Sequence, residues 1–293
     1  MKPTASSRLF EIFNYAILTV VSLVTILPFL YVIIVSFTDA NEYVTKSVVL
    51  FPEKWSLDSY RYILSTNTFL RSMGISAVLA IGGTILSLVV TSSLSYVLSR
   101  QRLKGKQFFL VAILLTMLFQ PGMIPNYMLV DSLGLTNTLW SLILPVLTGA
   151  WYVFLMKNFY QEMPSELEEA SKIDGCSDIG VYFRIMLPLS LPALAAFGLF
   201  FAVGYWNTYF NAVLYINDDT LRPMQVILQM LLIQASTQVA DPSIAAMIQS
   251  EQTVPPDVIK MAAVVVSSLP IVIVYPFLQK YFVKGMMVGS VKG

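Results

Sequence analysis

The stretch Ser72-Met-Gly-Ile-Ser-Ala-Val-Leu-Ala-Ile-Gly-Gly-Thr-Ile-Leu-Ser-Leu-Val-Val-Thr-Ser-Ser-Leu-Ser-Tyr-Val-Leu-Ser99 contains no charged side chain. A helix needs about 20 apolar residues to cross ~30 Å of hydrocarbon, so this stretch is long enough to span a bilayer once. The intervals 12–38, 107–130, 132–156, 185–217 and 261–279 share the property, and all are rich in Leu, Ile, Val, Phe and Met. A single Lys, Arg or Asp at a span centre would cost about 2.5–3.5 kcal/mol. A further interval, 223–240, carries Gln225, Gln229, Gln234 and Gln238 between Arg222 and Asp241. Four amides make it a poor span, and it is expected to be an interfacial or protein-packed helix. The sequence predicts an all-α integral membrane protein with six transmembrane helices.

The composition agrees. Of 293 residues, 56% are hydrophobic and 12% charged, against about 25% charged in soluble proteins. A net charge of +1 gives no electrostatic footprint for nucleic acid. The chain has no histidine and one cysteine, Cys176. That excludes an internal disulfide framework, a Cys/His zinc site and a His-based catalytic triad.

Orientation follows from Lys and Arg near the span ends. One set of connections holds Lys2, Arg8, Arg100, Arg102, Lys104, Lys106, Lys157, Lys172, Arg184, Lys280, Lys284 and Lys292. The alternate set holds only Lys46, Lys54, Arg61, Arg71, Arg222 and Lys260. Both termini are expected in the cytoplasm, with 39–71, 129–136 and 218–260 facing outward. The first span has the basic start of a secretory signal, but its apolar run is too long and no A-x-A pattern follows. It is expected to be an uncleaved helix kinked at Pro28, which membranes tolerate.

None of the six intervals carries an ionisable Asp, Glu, Lys, Arg or His. Proton-driven carriers, pumps and voltage sensors place such groups inside the bilayer. There is also no G-x-x-x-x-G-K-[ST] loop to cradle nucleotide phosphates. Any uphill transport must draw its energy from another polypeptide.

The connection between the fourth and fifth spans reads Met163-Pro-Ser-Glu-Leu-Glu-Glu-Ala-Ser-Lys-Ile-Asp-Gly175, then Cys176 through Ile185-Met-Leu-Pro188. Pro164 suits a helix start, and Glu166, Glu168 and Glu169 favour its N-terminal dipole. Gly175 is placed to end that helix. Leu167, Ala170 and Ile173 form a short apolar stripe. The pattern predicts a short helix, a Gly-marked turn and a second short element before Pro188, a piece able to dock into a groove on another protein. Glu162, Glu166, Glu168, Glu169, Asp174 and Asp178 outnumber Lys157, Lys172 and Arg184. A partner groove lined with basic residues is expected.

The segment resembles the E-A-A-x3-G-x9-I-x-L-P signature of ABC importer membrane subunits. Glu169, Ala170 and Ser171 stand at E-A-A, with Gly175, Ile185, Leu187 and Pro188 in register; Ser171 departs from the second alanine but stays small. Gln120-Pro-Gly-Met-Ile-Pro125, Leu133-Gly-Leu-Thr-Asn137 and Tyr275-Pro-Phe-Leu-Gln-Lys-Tyr-Phe-Val-Lys-Gly285 look like carbohydrate-uptake permeases, of the maltose-system second-permease and lipo-oligosaccharide or alginate kind. The resemblance implies a type I importer permease fold in the bacterial inner membrane. It implies a 1–68 segment of N-terminal helix and first outer loop, then a 69–293 core holding a coupling loop (161–188) and an outer loop (218–260). Partners implied are a second homologous permease, two cytoplasmic ATPases that bind ATP and Mg, and an extracytoplasmic binding protein that delivers a sugar. The chain itself is expected to bind no cofactor and to catalyse nothing. Glu168, Glu169, Ala170, Ser171, Asp174, Gly175, Leu187 and Pro188 are the expected coupling residues.

For the cargo path, the long fifth span is crowded with aromatics, including Phe200, Tyr205, Trp206, Tyr209 and Phe210. Asn207 and Asn211 lie four apart, which puts them on one face if the helix is continuous. At the outer end of the third span, Gln120, Asn126 and Tyr127 accompany Pro121, Gly122 and Pro125, which interrupt the helix. Aromatic faces beside amides suit a hydroxyl-rich sugar; the competing reading is helix–helix hydrogen bonding and aromatic packing. The alternative for the whole chain is a stand-alone secondary carrier. It lacks support from titratable groups and from any internal repeat.

Overall fold

The computed structural model describes residues 5–46, 48–237 and 254–289. Among them the chain is helical, with one isolated antiparallel bridge between Thr38 and Trp55. Two compact units are present, one of 1–70 with 228–269 and the other of 71–227 with 270–293.

In the first unit, α1 (Ala5–Ser36) runs through Pro28 without interruption. Every residue from 10 through 30 is exposed, so its long apolar surface has no cover among the described residues. Asp39 then caps α2 (Ala40–Thr45), accepting from the Asn41 and Glu42 amides. Glu42, only 8% exposed, accepts from the Glu53 amide at 2.9 Å, the Lys54 amide at 2.9 Å and Lys46 Nζ at 2.8 Å. Hydrogen bonds from the Glu53 amide, Lys46 and the Lys54 amide, in that order, lower its pKa from 4.5 to about 2. In α3 (Asp58–Ser65), the Tyr60 hydroxyl is hydrogen-bonded to Ser36 Oγ at 2.7 Å.

The charge-free stretch from Ser72 to Ser99 lies in α4 (Asn67–Ser99), which is long and apolar enough to cross a membrane. A π turn, Leu79–Gly83, interrupts its α-helical pattern. Its hydroxyls explain how it packs. Thr91 Oγ1 is bonded to Thr148 at 2.7 Å, Ser92 Oγ to the Tyr160 and Tyr182 hydroxyls at 2.6 and 2.8 Å, and Ser95 Oγ donates to the Val153 carbonyl. Small polar residues let helices approach closely while these hydroxyls find partners across the contact.

Three of the six charge-free intervals are not single straight helices. The third divides into α5 (Lys106–Leu118) and α6 (Met123–Ser132), bent by 117°. The fourth divides into α7 (Trp140–Val146) and α8 (Ala150–Glu162) at 55°, and the fifth into α10 (Asp178–Leu189) and α11 (Leu191–Trp206) at 77°. The causes are local. Phe119-Gln-Pro-Gly122 breaks the third interval, Leu147-Thr-Gly149 the fourth, and Pro192, at the start of α11, the fifth. At 1.5 Å per residue, α5 reaches only about 20 Å, short of a full crossing by itself. Among the described residues, three helices are long and apolar enough to cross a membrane, or up to six spans if each bent pair counts as one.

The remaining helices are α9 (Ser165–Ile173), α12 (Phe210–Tyr215), α13 (Met224–Thr237) and α14 (Pro256–Gly289). The start of α13 is protein-packed: Met224 is fully buried and its amide donates to Ser76 Oγ at 2.8 Å. The 238–253 part of the expected outer loop lies outside the described residues.

Candidate functional site

The 163–188 connection folds as its residues dictate. Pro164 occupies the N-cap position of α9, and the helix closes in a Schellman motif. The Cys176 amide donates to the Ser171 carbonyl at 2.9 Å and the Gly175 amide to Lys172 at 3.0 Å. That geometry requires a left-handed residue, and Gly175 has φ +85°. Ser177 Oγ then accepts from the Gly180 amide at 3.2 Å and starts α10. Below the turn, Val181, Tyr182 and Met186 are buried with Tyr96, Met156 and Tyr160. The second element is thereby fixed onto α4 and α8.

The two sides of α9 differ in chemistry. Glu166, Leu167, Glu169, Ala170 and Asp174 are exposed, Ile173 is 87% exposed, and Ile179 and Phe183 continue the apolar surface. Ser171 is buried and its hydroxyl donates back to the Leu167 carbonyl, which is how serine stands where alanine is usual. Leu187 is half-buried and Pro188 exposed.

Glu168 points the other way. Arg100 Nη1 donates to its Oε2, while Arg102 Nη2 and Lys172 Nζ lie 2.8 and 2.9 Å from its Oε1. Its side chain is 13% exposed. Burial by itself would push this carboxyl up, but hydrogen bonds from Lys172 and Arg100, with their charges, outweigh it and hold the pKa below its ordinary value. Asp178 joins through Arg102 at 2.6 Å and Lys172 at 3.2 Å. Two of the acids counted toward a surplus are therefore used internally, and the acidic character of the exposed surface comes from Glu162, Glu166, Glu169 and Asp174. The cations at 100 and 102 were visible in the sequence only as markers of orientation.

A cleft of about 370 Å³ is lined by Val146 and Tyr152, by Phe200, Phe201, Gly204, Tyr205 and Asn207 of α11 and its end, and by Thr208, Tyr209, Phe210 and Asn211. Tyr205, Asn207 and Asn211 therefore meet here, but not by the expected route. Asn207 ends α11 as its C-cap and α12 begins at Phe210, so no continuous helix carries both amides. Asn207 Oδ1 accepts from Gln225 Nε2 at 3.0 Å. Tyr205 is buried, its hydroxyl bonded to Ser87 Oγ at 2.9 Å. Its ring stands where a Cβ on Gly83 would be 2.7 Å away, so only glycine admits it.

Trp206 lines a different, apolar cavity of about 870 Å³ between α4, α11 and Pro270–Val274 of α14. Gln120, Asn126 and Tyr127 do not reach the cleft. They sit at the exposed break and start of α6, where Tyr127 stacks on Tyr215 at 6.1 Å between ring centres. Phe200 and Gly204, which helical spacing already set near Asn207, line the cleft, whereas Tyr152 reaches it from the separate helix α8 and left no spacing signal in the sequence.

Residues 108–288 match the family described as binding-protein-dependent transport system inner membrane component. The chain is 46% identical over 294 residues to Protein LplC of Bacillus subtilis (strain 168), covering 100% of this chain and 98% of that one. It is 45% identical to the polygalacturonan/rhamnogalacturonan transport system permease protein YtcP of the same organism, covering 98% and 99%. It is also similar to a chain in the crystal structure of a bacterial ABC transporter involved in the import of the acidic polysaccharide alginate. That match has a TM-score of 0.88 and 28% identity, over 95% of this chain and 98% of the other. With its apolar helices and its 163–188 connection, this chain belongs to the binding-protein-dependent transport system inner membrane component family, and is a multi-pass ABC transporter permease subunit.

Proposed function

We propose that the chain is one membrane half of an ATP-driven oligosaccharide importer, working by alternating access. Each bent helix pair counts as one span, giving six spans with both termini in the cytoplasm. A second homologous permease completes the bundle, and two ATPase subunits carry the ATP and Mg. An extracytoplasmic binding protein delivers the cargo. The observation that carries this reading is the split character of α9: one side locked to the body by ion pairs, the other offering carboxylates and bare Leu167 and Ile173. Such a surface fits a basic-rimmed groove on a separate ATPase, whose nucleotide-driven closure would move the bundle between states. In the cleft, Tyr209, Phe200 and Phe210 would stack on sugar rings while Asn207, Asn211 and Thr208 exchange hydrogen bonds with hydroxyls. Polyuronates are the first cargo class to try, because YtcP and the alginate importer are named for acidic polysaccharides.

The test is co-purification from detergent extract, then ATP hydrolysis by the reconstituted complex across an oligosaccharide panel with binding protein present. An associated ATPase, a second permease and stimulation by at least one oligosaccharide are expected. A lone chain that transports without an ATPase would overturn the reading.

A further inference from the structure

We infer that the adjacent glutamates 168 and 169 have opposite roles: Glu169 faces the ATPase, and Glu168 is a positioning residue that ties the docked helix to the end of α4. This rests on the proposed docking of α9.

Arg100 is the first residue past α4 and is held on several sides. Its Nε donates to Ser99 Oγ at 3.0 Å, its Nη2 to the Tyr160 carbonyl at 3.4 Å, and its guanidinium carbon lies 4.5 Å from the centre of the Tyr96 ring. Arg100 and Glu168 are 16% and 13% exposed, so water screens their attraction weakly. Arg102 and Lys172 each bridge Glu168 to Asp178. The cluster thus joins the end of α4, the turn after it, α9 and the start of α10. From there α4 leads to the cleft through Ser92 with Tyr160 and Tyr182, then Ser87 with Tyr205. A displacement of α9 is delivered to α4 as a rigid pull, and α4 moves a residue of the cleft wall. Without the cluster, α9 could follow the ATPase while α4 stayed behind.

The test uses the assembled complex in nanodiscs, with Cys176→Ala and a fluorophore on Asn211→Cys reporting the cleft. MgATP is the only ligand added. Glu168→Gln is expected to keep the ATPase bound in pull-down but to lower the fluorescence change per ATP hydrolysed by about fivefold or more, the low end of typical coupling. Glu168→Asp, which keeps the charge, should recover most of it. Arg102→Gln, at a half-exposed position, should give an intermediate loss and carries the test if Glu168→Gln does not accumulate. Unchanged fluorescence per ATP in Glu168→Gln, or in Arg102→Gln where that variant stands alone, overturns the inference. So does loss of the ATPase from Glu168→Gln, which would place Glu168 on the docking surface. Retention of the ATPase by Glu169→Lys would instead overturn the docking itself.

Discussion

Glu169 illustrates how much a single exposed carboxylate can decide. Glu169→Lys should weaken ATPase association by about tenfold or more, or ~1.4 kcal/mol, in a pull-down titration. In the cleft, Asn207→Ala and Asn211→Ala each remove a hydrogen-bonding amide, worth about 0.5–1.5 kcal/mol net. Each should raise the substrate concentration for half-maximal uptake a few-fold, and unchanged uptake would show that these amides serve only helix packing. Glu42 gives a pH dependence. Its folded pKa of about 2 lies below the ordinary 4.5, so the carboxylate's contribution is intact above pH 4.5 and is lost as pH falls toward 2. Hydrogen exchange at the Glu53 and Lys54 amides should therefore stay slow from neutral pH to about 5, beyond the intrinsic trend, and lose protection below that. Glu42→Gln at neutral pH should reproduce the acid behaviour.

Among the helices, the 163–188 connection was the most readable, because each of its signals is local. Pro164, the run of glutamates and Gly175 act on their own backbone, and α9 begins and ends where they put it. Gly175→Ala should cost about 1–2 kcal/mol, since a Cβ disfavours the left-handed conformation. The expected signs are faster proteolysis between 163 and 176 and weaker ATPase retention. The bent pairs were half readable. Pro121 and Gly122 announced a break, but charge-free length says nothing of the 117° angle between the two helices. The joining of Asn207 and Asn211 was expected from a helix that ends before it links them. The right neighbours came by a different path, because a capping residue and a short second helix can bring together what a helical repeat would also have aligned. The ion cluster was unreadable for a related reason. Glu168 and Arg100 lie far apart in sequence, and each alone looks like an ordinary solvated charge.

For the chain as a unit, the uneven spread of Lys and Arg predicts which face is which. With Cys176→Ala as background, an impermeant maleimide added to intact cells should label Thr45→Cys and leave Glu166→Cys unlabelled until the membrane is opened. The reverse pattern would turn the whole reading upside down. The uncovered flank of α1 has a consequence for how the subunit is kept in the cell. Among the described residues nothing covers residues 10 through 30, so a copy made in excess of the proposed mate would leave that whole length to lipid. Such an unpaired copy is expected to be turned over faster than the assembled one. The supply of the mate, rather than the rate of synthesis, would then set how much of this subunit survives.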